Sequence, residues 1–100
     1  MQISGILQEK SLYGPNYLTI GDVCPVQVLS TYTGQIIKLQ VLESSNSLFE
    51  LSGTLEAFYF EGKDNYGTPR ITTDFYIDDV DVIEKLMLYI GRELQLVVAF

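Results

Sequence analysis

Two kinds of residue in this sequence could do chemistry, a single cysteine and a dense group of carboxylates, because the 100-residue chain contains no histidine. Cys24 lies next to Pro25. A thiol at the start of a helix can have a lowered pKa and act as a nucleophile, and a Cys-Pro pair can also contact haem iron. Nucleophilic catalysis usually needs a histidine as its base. We therefore expect Cys24 to be a small buried side chain, and we predict no catalytic residue.

The carboxylates are densest between residues 74 and 84. Oxygen ligands at this density suit a hard cation such as calcium, but the spacing of an EF-hand loop is absent. Helix capping and a solvated surface account for the same residues. We predict no metal and no other cofactor. We predict instead an acidic face, formed by Asp74, Asp78, Asp79 and Asp81.

The charge is distributed unevenly along the chain, whose net charge is −7. Acidic and basic residues cancel over residues 1–42, whereas residues 43–84 contain ten carboxylates and only Lys63 and Arg70 as cations. Such a surface repels nucleic-acid phosphates and attracts basic partners. The tyrosines and phenylalanines could stack on bases, but the basic residues are scattered singly and predict no groove for phosphates. We expect a protein partner with a basic surface and no nucleic acid.

The sequence also bears on location. It has no run of about 18 apolar residues, and its first residues lack the charged and apolar regions of a signal peptide. A single cysteine and the absence of an N-glycosylation motif are typical of a reducing compartment. We therefore expect a cytoplasmic protein that does not associate with membranes.

Two blocks of the sequence recur in the same order. Gln2–Gln8 aligns with Glu50–Glu56, an offset of 48, and Asp22–Val41 aligns without a gap with Asp79–Val98, an offset of 57. The second copy is therefore nine residues longer, around positions 58–70. Coincidence in a β-rich composition is the alternative interpretation. We predict a duplication within a single domain, 1–100, with halves 1–43 and 49–100 and a connector at 44–48.

The aligned blocks predict two helices. Apolar residues recur at one helical face over 80–90, between Asp79 as the N-cap and Gly91 as the stop. Residues 23–33 alone would favour a strand because of their β-branched content. The alignment favours a short helix instead, since Asp22 and Gly34 occupy the matching cap positions.

The remaining segments alternate between apolar and polar residues, which predicts strands and a ββαβ order in each half. Gly5 and Gly53 interrupt matching strands and predict a bend or a bulge that curves the sheet. Units of this size should share one core around a pseudo-twofold axis. The predicted fold class is mainly β (α+β): a tandem ββαβ repeat forming a closed or partly open six-stranded barrel with two short helices. This order resembles that of the double-psi β-barrels, and Gly21-Asp22 resembles their Gly-Asp turn; the resemblance implies the fold alone.

The hairpin at 58–70 is the predicted binding site. Tyr59 belongs to the inward-facing set, so Phe58 and Phe60 should point outward. Exposed rings beside carboxylates are typical of a recognition surface. A helix or a second copy in a homodimer that covers the rings is an alternative. The candidate partner-binding residues are Phe58, Phe60, Tyr66, Glu56, Glu61 and Asp64.

Two classes of function follow from these features. The first is a non-catalytic acidic protein-interaction module, acting as an adaptor, a regulator or an inhibitor of a basic partner, with mimicry of nucleic-acid charge as a variant. The second is a small-molecule-binding or enzymatic barrel with its site between the halves. Polar residues converging there would favour the second class, and the candidates are Asp22, Tyr32, Asp79 and Tyr89.

Overall fold

The structure, a computed structural model, describes residues 1–11 and 16–100. Over these residues the chain forms seven antiparallel strands in one sheet and two short helices. The strands are Gln2–Lys10 (β1), Tyr17–Ile20 (β2), Ile36–Glu43 (β3), Asn46–Lys63 (β4), Pro69–Ile77 (β5), Val80–Asp81 (β6) and Glu93–Ala99 (β7). The helices are Pro25–Leu29 (α1) and Val82–Leu86 (α2), and each continues into a 3₁₀ turn, Ser30–Tyr32 and Met87–Tyr89.

One apolar core lies between the sheet and both helices. Alternate residues of the strands point into it, as the period of two in the sequence predicts. Each helix contributes a fully buried leucine, Leu29 in α1 and Leu86 in α2. The largest side chain in the core is Phe75 of β5, which has no exposed surface. Among the described residues, no helix is long and apolar enough to cross a membrane.

The sheet is open. Its strand order is β2-β1-β7-β3-β4-β5-β6, and no pairing found among the described residues joins β2 to β6. The mainly β class and the two short helices are confirmed. The strand pairings of the described residues do not close the sheet into a barrel, and the partly open barrel, the double-psi likeness and the internal repeat stay predictions. The sheet has seven strands rather than six because Val80–Asp81 turns back to pair with Tyr76 and Ile77 before α2 begins.

The strand register follows the two offsets of the sequence alignment. Ile3 pairs with Leu96, and the aligned residues Leu51 and Leu39 pair with each other in the same way. The agreement extends beyond the ladders. The Leu7 amide donates to the carbonyl oxygen of Arg92 at 2.9 Å, while the amide of Leu55 donates to that of Gln35 at 2.9 Å. Aligned positions in the two segments therefore have aligned backbone partners.

Both helices begin later than predicted. Val23 forms a bridge with Ile20, and the N-cap of α1 is Cys24 rather than Asp22. The N-cap of α2 is Asp81 rather than Asp79, and its carboxylate accepts a hydrogen bond from the backbone of Glu84 at 3.1 Å. Asp79 instead follows Asp78 in a tight turn, with φ of 65° and 46° respectively. This turn returns the chain to β5, so the helix can start only after β6.

Gly5 and Gly53 lie next to the points where the two long strands change pairing partner, and both have φ of 152°. A Cβ atom on Gly5 would lie 2.6 Å from the backbone nitrogen of Gly21, a distance that no real contact reaches. On Gly53 it would meet the carboxylate of Asp78. The chain therefore needs glycine at both positions, because β1 and β4 pass directly against the turns that follow β2 and β5.

We expect Gly5→Ala to lower the free energy of unfolding by about 2–4 kcal/mol, since it combines a strained φ with a backbone collision. Gly34→Ala is the matched control, because Gly34 also has a positive φ, of 91°, but a Cβ atom there would have no neighbour within 4 Å. That control should cost about 1–2 kcal/mol. Urea unfolding of both variants measures the difference, and equal losses would contradict the close-approach argument.

Candidate functional site

The predicted hairpin is present as a two-stranded ribbon, which we define as residues 58–74. β4 pairs with β3 as far as Thr54 and with β5 from Leu55 to Lys63. Among residues 1–11 and 16–100, β4 therefore has a strand neighbour on one side only beyond its pairing with β3. An isolated two-stranded ribbon is marginally stable in water, so this segment depends on its own side chains and on the turn at its tip.

One face of the ribbon, its outer face, presents two aromatic rings to solvent. Phe58 is 54 % exposed and Phe60 is 68 % exposed, which confirms their predicted outward orientation. Phe58 lies across from Asp74 in the β4–β5 register. The Phe60 ring lies over Gly62, where a Cβ atom would come within 2.6 Å of its Cε1 atom. Glycine at 62 therefore makes room for the ring of Phe60.

The opposite face of the ribbon joins the core. Ala57 and Phe75 are buried as a cross-strand pair, and Tyr59 is half-buried beyond them. The Tyr59 hydroxyl donates a hydrogen bond to the Glu61 carboxylate. Burial raises the pKa of Tyr59, and the neighbouring charge of Glu61 raises it further. Glu61, one of the candidate partner-binding residues, therefore lies on the face opposite to Phe58.

Asp64 closes the tip of the ribbon. Its carboxylate accepts hydrogen bonds from the backbone amides of Tyr66 at 2.8 Å and Thr68 at 3.0 Å. These bonds lower the pKa of Asp64, since both favour the charged carboxylate. Tyr66 is 93 % exposed just beside it. Of these two candidate residues, Asp64 holds the turn and Tyr66 is the more available for contact.

The acidic residues around the ribbon are used in different ways. Asp78 covers Gly53 and accepts a hydrogen bond from the Thr54 amide at 2.8 Å. Asp81 caps α2, as described above, and Asp79 is exposed in the tight turn. Two carboxylates thus lie near the exposed rings on the outer face. Asp74 is opposite Phe58 on the ribbon, and Glu56, opposite Tyr76, lies just before the ribbon, two residues from Phe58. No group of carboxylate, thiol or imidazole side chains that could hold a metal ion occurs in the described part of the chain.

Cys24 is buried at the start of α1, where its side chain makes no capping hydrogen bond. Desolvation by burial raises the pKa of its thiol, and the nearby backbone amides of Gln27 and Val26 oppose this only in part. The thiol is therefore protonated at neutral pH. This is the environment of a packing residue, as the sequence predicts.

Apolar side chains just after α2 are exposed to solvent, which the helical spacing in the sequence does not predict. The helical spacing places Met87 and Ile90 on the buried face with Leu86, but they are 43 % and 40 % exposed, and Leu88 is 77 % exposed. The tighter 3₁₀ turn from Met87 rotates these side chains away from the face that α2 buries. The alignment contained a usable signal, because the matching first-half positions are the polar residues Ser30, Thr31 and Thr33.

The residues proposed for a site between the halves have other neighbours. Tyr32 lies against Phe100, with ring centroids 4.6 Å apart, and Tyr89 lies against Phe49 at 6.3 Å. Three well-defined cavities lie among those on the surface of the described residues. Neither these tyrosines nor Asp22 and Asp79 line any of the three.

Asp64 should make the ribbon tip sensitive to acid. Because its folded pKa lies below the ordinary value of 3.8, the stability that it contributes is present above that value and is lost as pH falls through the folded pKa. Amide chemical shifts of Tyr66 and Thr68 should move in that range. Asp64→Ala should remove the transition, whereas a transition that persists in Asp64→Ala would contradict this assignment.

Cys24 should react slowly with disulfide reagents at pH 7, since burial both blocks access and keeps the thiol protonated. The stability linked to this group is present below the unfolded thiol pKa and is lost as pH rises through the higher folded value. The labelling rate in native buffer and in urea measures the effect. Equal rates in the two conditions would show an accessible thiol instead.

The chain was compared with protein-family models, with curated proteins and with solved structures, and none of the three comparisons finds a match.

Proposed function

We propose that this chain is a non-catalytic protein-interaction module that binds a partner with a basic surface through the outer face of the ribbon. The single observation that supports this most strongly is the exposure of Phe58 and Phe60 beside Glu56 and Asp74. A few side chains supply most of the energy at a protein interface, and aromatic residues are enriched there. A rim of charge supplies orientation and a faster encounter. The module would act as an adaptor, a regulator or an inhibitor.

The rings have little reason to be exposed in an isolated domain. Position 58 aligns with Lys10 of the first half, which is also exposed, so a charged residue is compatible with this place in the fold. The ring of Phe60 lies over Gly62, where any larger residue would collide with it. Both features support the ribbon as a binding surface rather than a plain solvated hairpin.

The charge distribution supports a basic partner and argues against nucleic acid. The segment 43–84, which contains the ribbon, has ten carboxylates and two cations. Both cations, Lys63 and Arg70, lie on the ribbon with three of the carboxylates, so most of the negative charge lies beside the ribbon rather than on it. A surface of this sign repels phosphates and steers cationic groups toward itself. Occupation of a basic groove that otherwise holds nucleic acid is one form that such binding would take.

Several finer features belong to the same proposal. We interpret the shared register of the two halves as the result of duplication, with a partly open, double-psi-like barrel around a pseudo-twofold axis. A cytoplasmic location fits a single buried cysteine. A homodimer that covers the rings of Phe58 and Phe60 is the competing explanation for their exposure, and the oligomeric state in solution tests it.

The proposal is tested by retention of proteins from a cell lysate on the immobilised chain. We expect the wild type to retain basic proteins that both F58A/F60A and E56K/D74K lose. Association with a purified partner should slow several-fold as salt rises from about 0.05 to about 0.3 M, because the Debye length falls from about 14 to about 6 Å. The melting temperature of E56K/D74K should stay nearly unchanged, since exposed charges contribute little to folding.

The matched control is D22K/E93K, which changes the net charge equally at exposed positions outside the ribbon. It should retain the same proteins as the wild type. Equal loss in this control would show a general effect of charge rather than a site. Retention that survives F58A/F60A would overturn the proposed surface. Retention that is unchanged by salt and charge reversal but lost in F58A/F60A would limit the binding surface to the two rings.

A further inference from the structure

On the side of β4 that faces away from β5, the ribbon has a strand edge that no strand of the described residues pairs with. The direction of the backbone groups follows from the hydrogen bonds near its base. The Leu55 amide donates to the carbonyl oxygen of Gln35 at 2.9 Å, and the carbonyl oxygen of Leu55 accepts from the Gly34 amide at 2.7 Å. Leu55 therefore directs its backbone groups toward the β3 side, and so do the other odd-numbered residues of this strand.

The even-numbered residues of β4 complete this pattern on the β5 side. Thr54 accepts a hydrogen bond from the Asp78 amide at 3.1 Å, and the Asp64 amide donates to the carbonyl oxygen of Thr68 at 3.0 Å. Beyond the pairing with β3, the backbone amides and carbonyls of the odd-numbered residues of β4 no longer face a strand of the described residues. The Ala57 amide is still satisfied, because it donates to the Thr33 hydroxyl at 2.9 Å. No backbone partner for the next three odd residues, Tyr59, Glu61 and Lys63, is found in the described part of the chain.

The other edge of the ribbon, along β5, is less suited to an added strand. The backbone groups of its odd-numbered residues also point away from β4. However, Pro69 at the outer end of β5 has no amide hydrogen to donate. At its inner end, Ile77 is paired with Val80 of β6. The β4 edge has neither obstacle between Tyr59 and Lys63.

The side chains beside this edge indicate the chemistry of a suitable strand. A peptide that continued the row of β3 would run antiparallel to β4, and its residues opposite Phe58 and Phe60 would lie over the rings on the outer face. Arginine suits these positions, because a guanidinium packs on an aromatic face and can reach Glu56. The chain already contains such a contact, with the Arg92 guanidinium 5.3 Å from the centre of the Tyr89 ring.

We infer that the free edge of β4 binds an extended, arginine-bearing segment of a protein as an added antiparallel strand, an inference that rests on the proposed function of the ribbon. The backbone groups of Tyr59, Glu61 and Lys63 pair with the segment, and alternate arginines lie against Phe58 and Phe60. Main-chain pairing supplies affinity in such complexes, and the alternate side chains supply specificity.

The first test uses a short fluorescein-labelled peptide of alternating arginine and valine, with binding followed by fluorescence anisotropy. In the inferred register the valine amides point toward β4 and the arginine amides point away. Methylation of the valine nitrogens should weaken binding at least tenfold, whereas methylation of the arginine nitrogens, the matched control, should change it less than threefold.

The second test changes the protein. Glu61→Pro removes the amide hydrogen at the free edge without touching the β4–β5 ladder, and Glu61→Ala removes the same carboxylate but keeps the amide. Binding to the proline variant should be about tenfold weaker than to the alanine variant, with both folded by circular dichroism. Equal affinities would overturn the added strand.

The outcomes separate this inference from the proposed function. Failure of the unmodified peptide to bind the wild type, or equal weakening by both methylations, would overturn the added strand. Where both methylations weaken binding equally but the unmodified peptide loses its binding in F58A/F60A, the outer face remains the binding surface and only the mode of binding is wrong. If binding survives in F58A/F60A, the arginine contact with the rings is wrong and the proposed surface fails with it.

Discussion

The close approach of a long strand to a tight turn is the constraint on which the rest of this fold depends. β1 passes over Gly21 at Gly5, and β4 passes over Asp78 at Gly53. At these points each strand exchanges neighbours. β1 leaves β7 and pairs with β2, while β4 leaves β3 and pairs with β5. One strand can thereby belong to two parts of the sheet around a single core.

The exchange of neighbours also creates the candidate site. Beyond Thr54, β4 no longer pairs with β3 but still pairs with β5. Among the described residues, the β3-side edge of β4 and its outer face are therefore exposed together. In the first half, β1 ends at Lys10, soon after the same exchange, so little edge is released there. In the second half the added residues extend the strand to Lys63. The binding surface is therefore an extension of a structural device that both halves use.

The parts of the structure that depend on local periodicity could be predicted from the sequence. Alternation gave the inward set of β4 correctly, and with it the exposure of Phe58 and Phe60. The helix at α1 required the alignment, because its β-branched residues favour a strand by themselves. The N-caps could not be obtained in this way, since an Asp-Asp pair that forms a turn looks like a capping residue until the strand after it is known.

The site was harder to predict because side-chain roles depend on distant contacts. Nothing in the sequence distinguishes Asp74, free beside a ring, from Asp78, which lies against a glycine 25 positions away at Gly53. The exposure of Met87 and Ile90 depended on the change from an α-helix to a 3₁₀ turn after Leu86. A shift of helical type by one residue moves side chains between core and solvent, and periodicity alone does not detect it.

The partition of the ribbon between a buried base and a free tip has a consequence for dynamics. Ala57 and Phe75 are anchored in the core, whereas from Phe60 outward the pairing found among the described residues is that of the two strands with each other, closed by the Asp64 turn. Segments with so few buried contacts open locally at a free energy well below that of global unfolding. The tip would thus exchange its amide hydrogens with solvent while the base stays protected, and a bound partner would be detected as protection that spreads outward along β4.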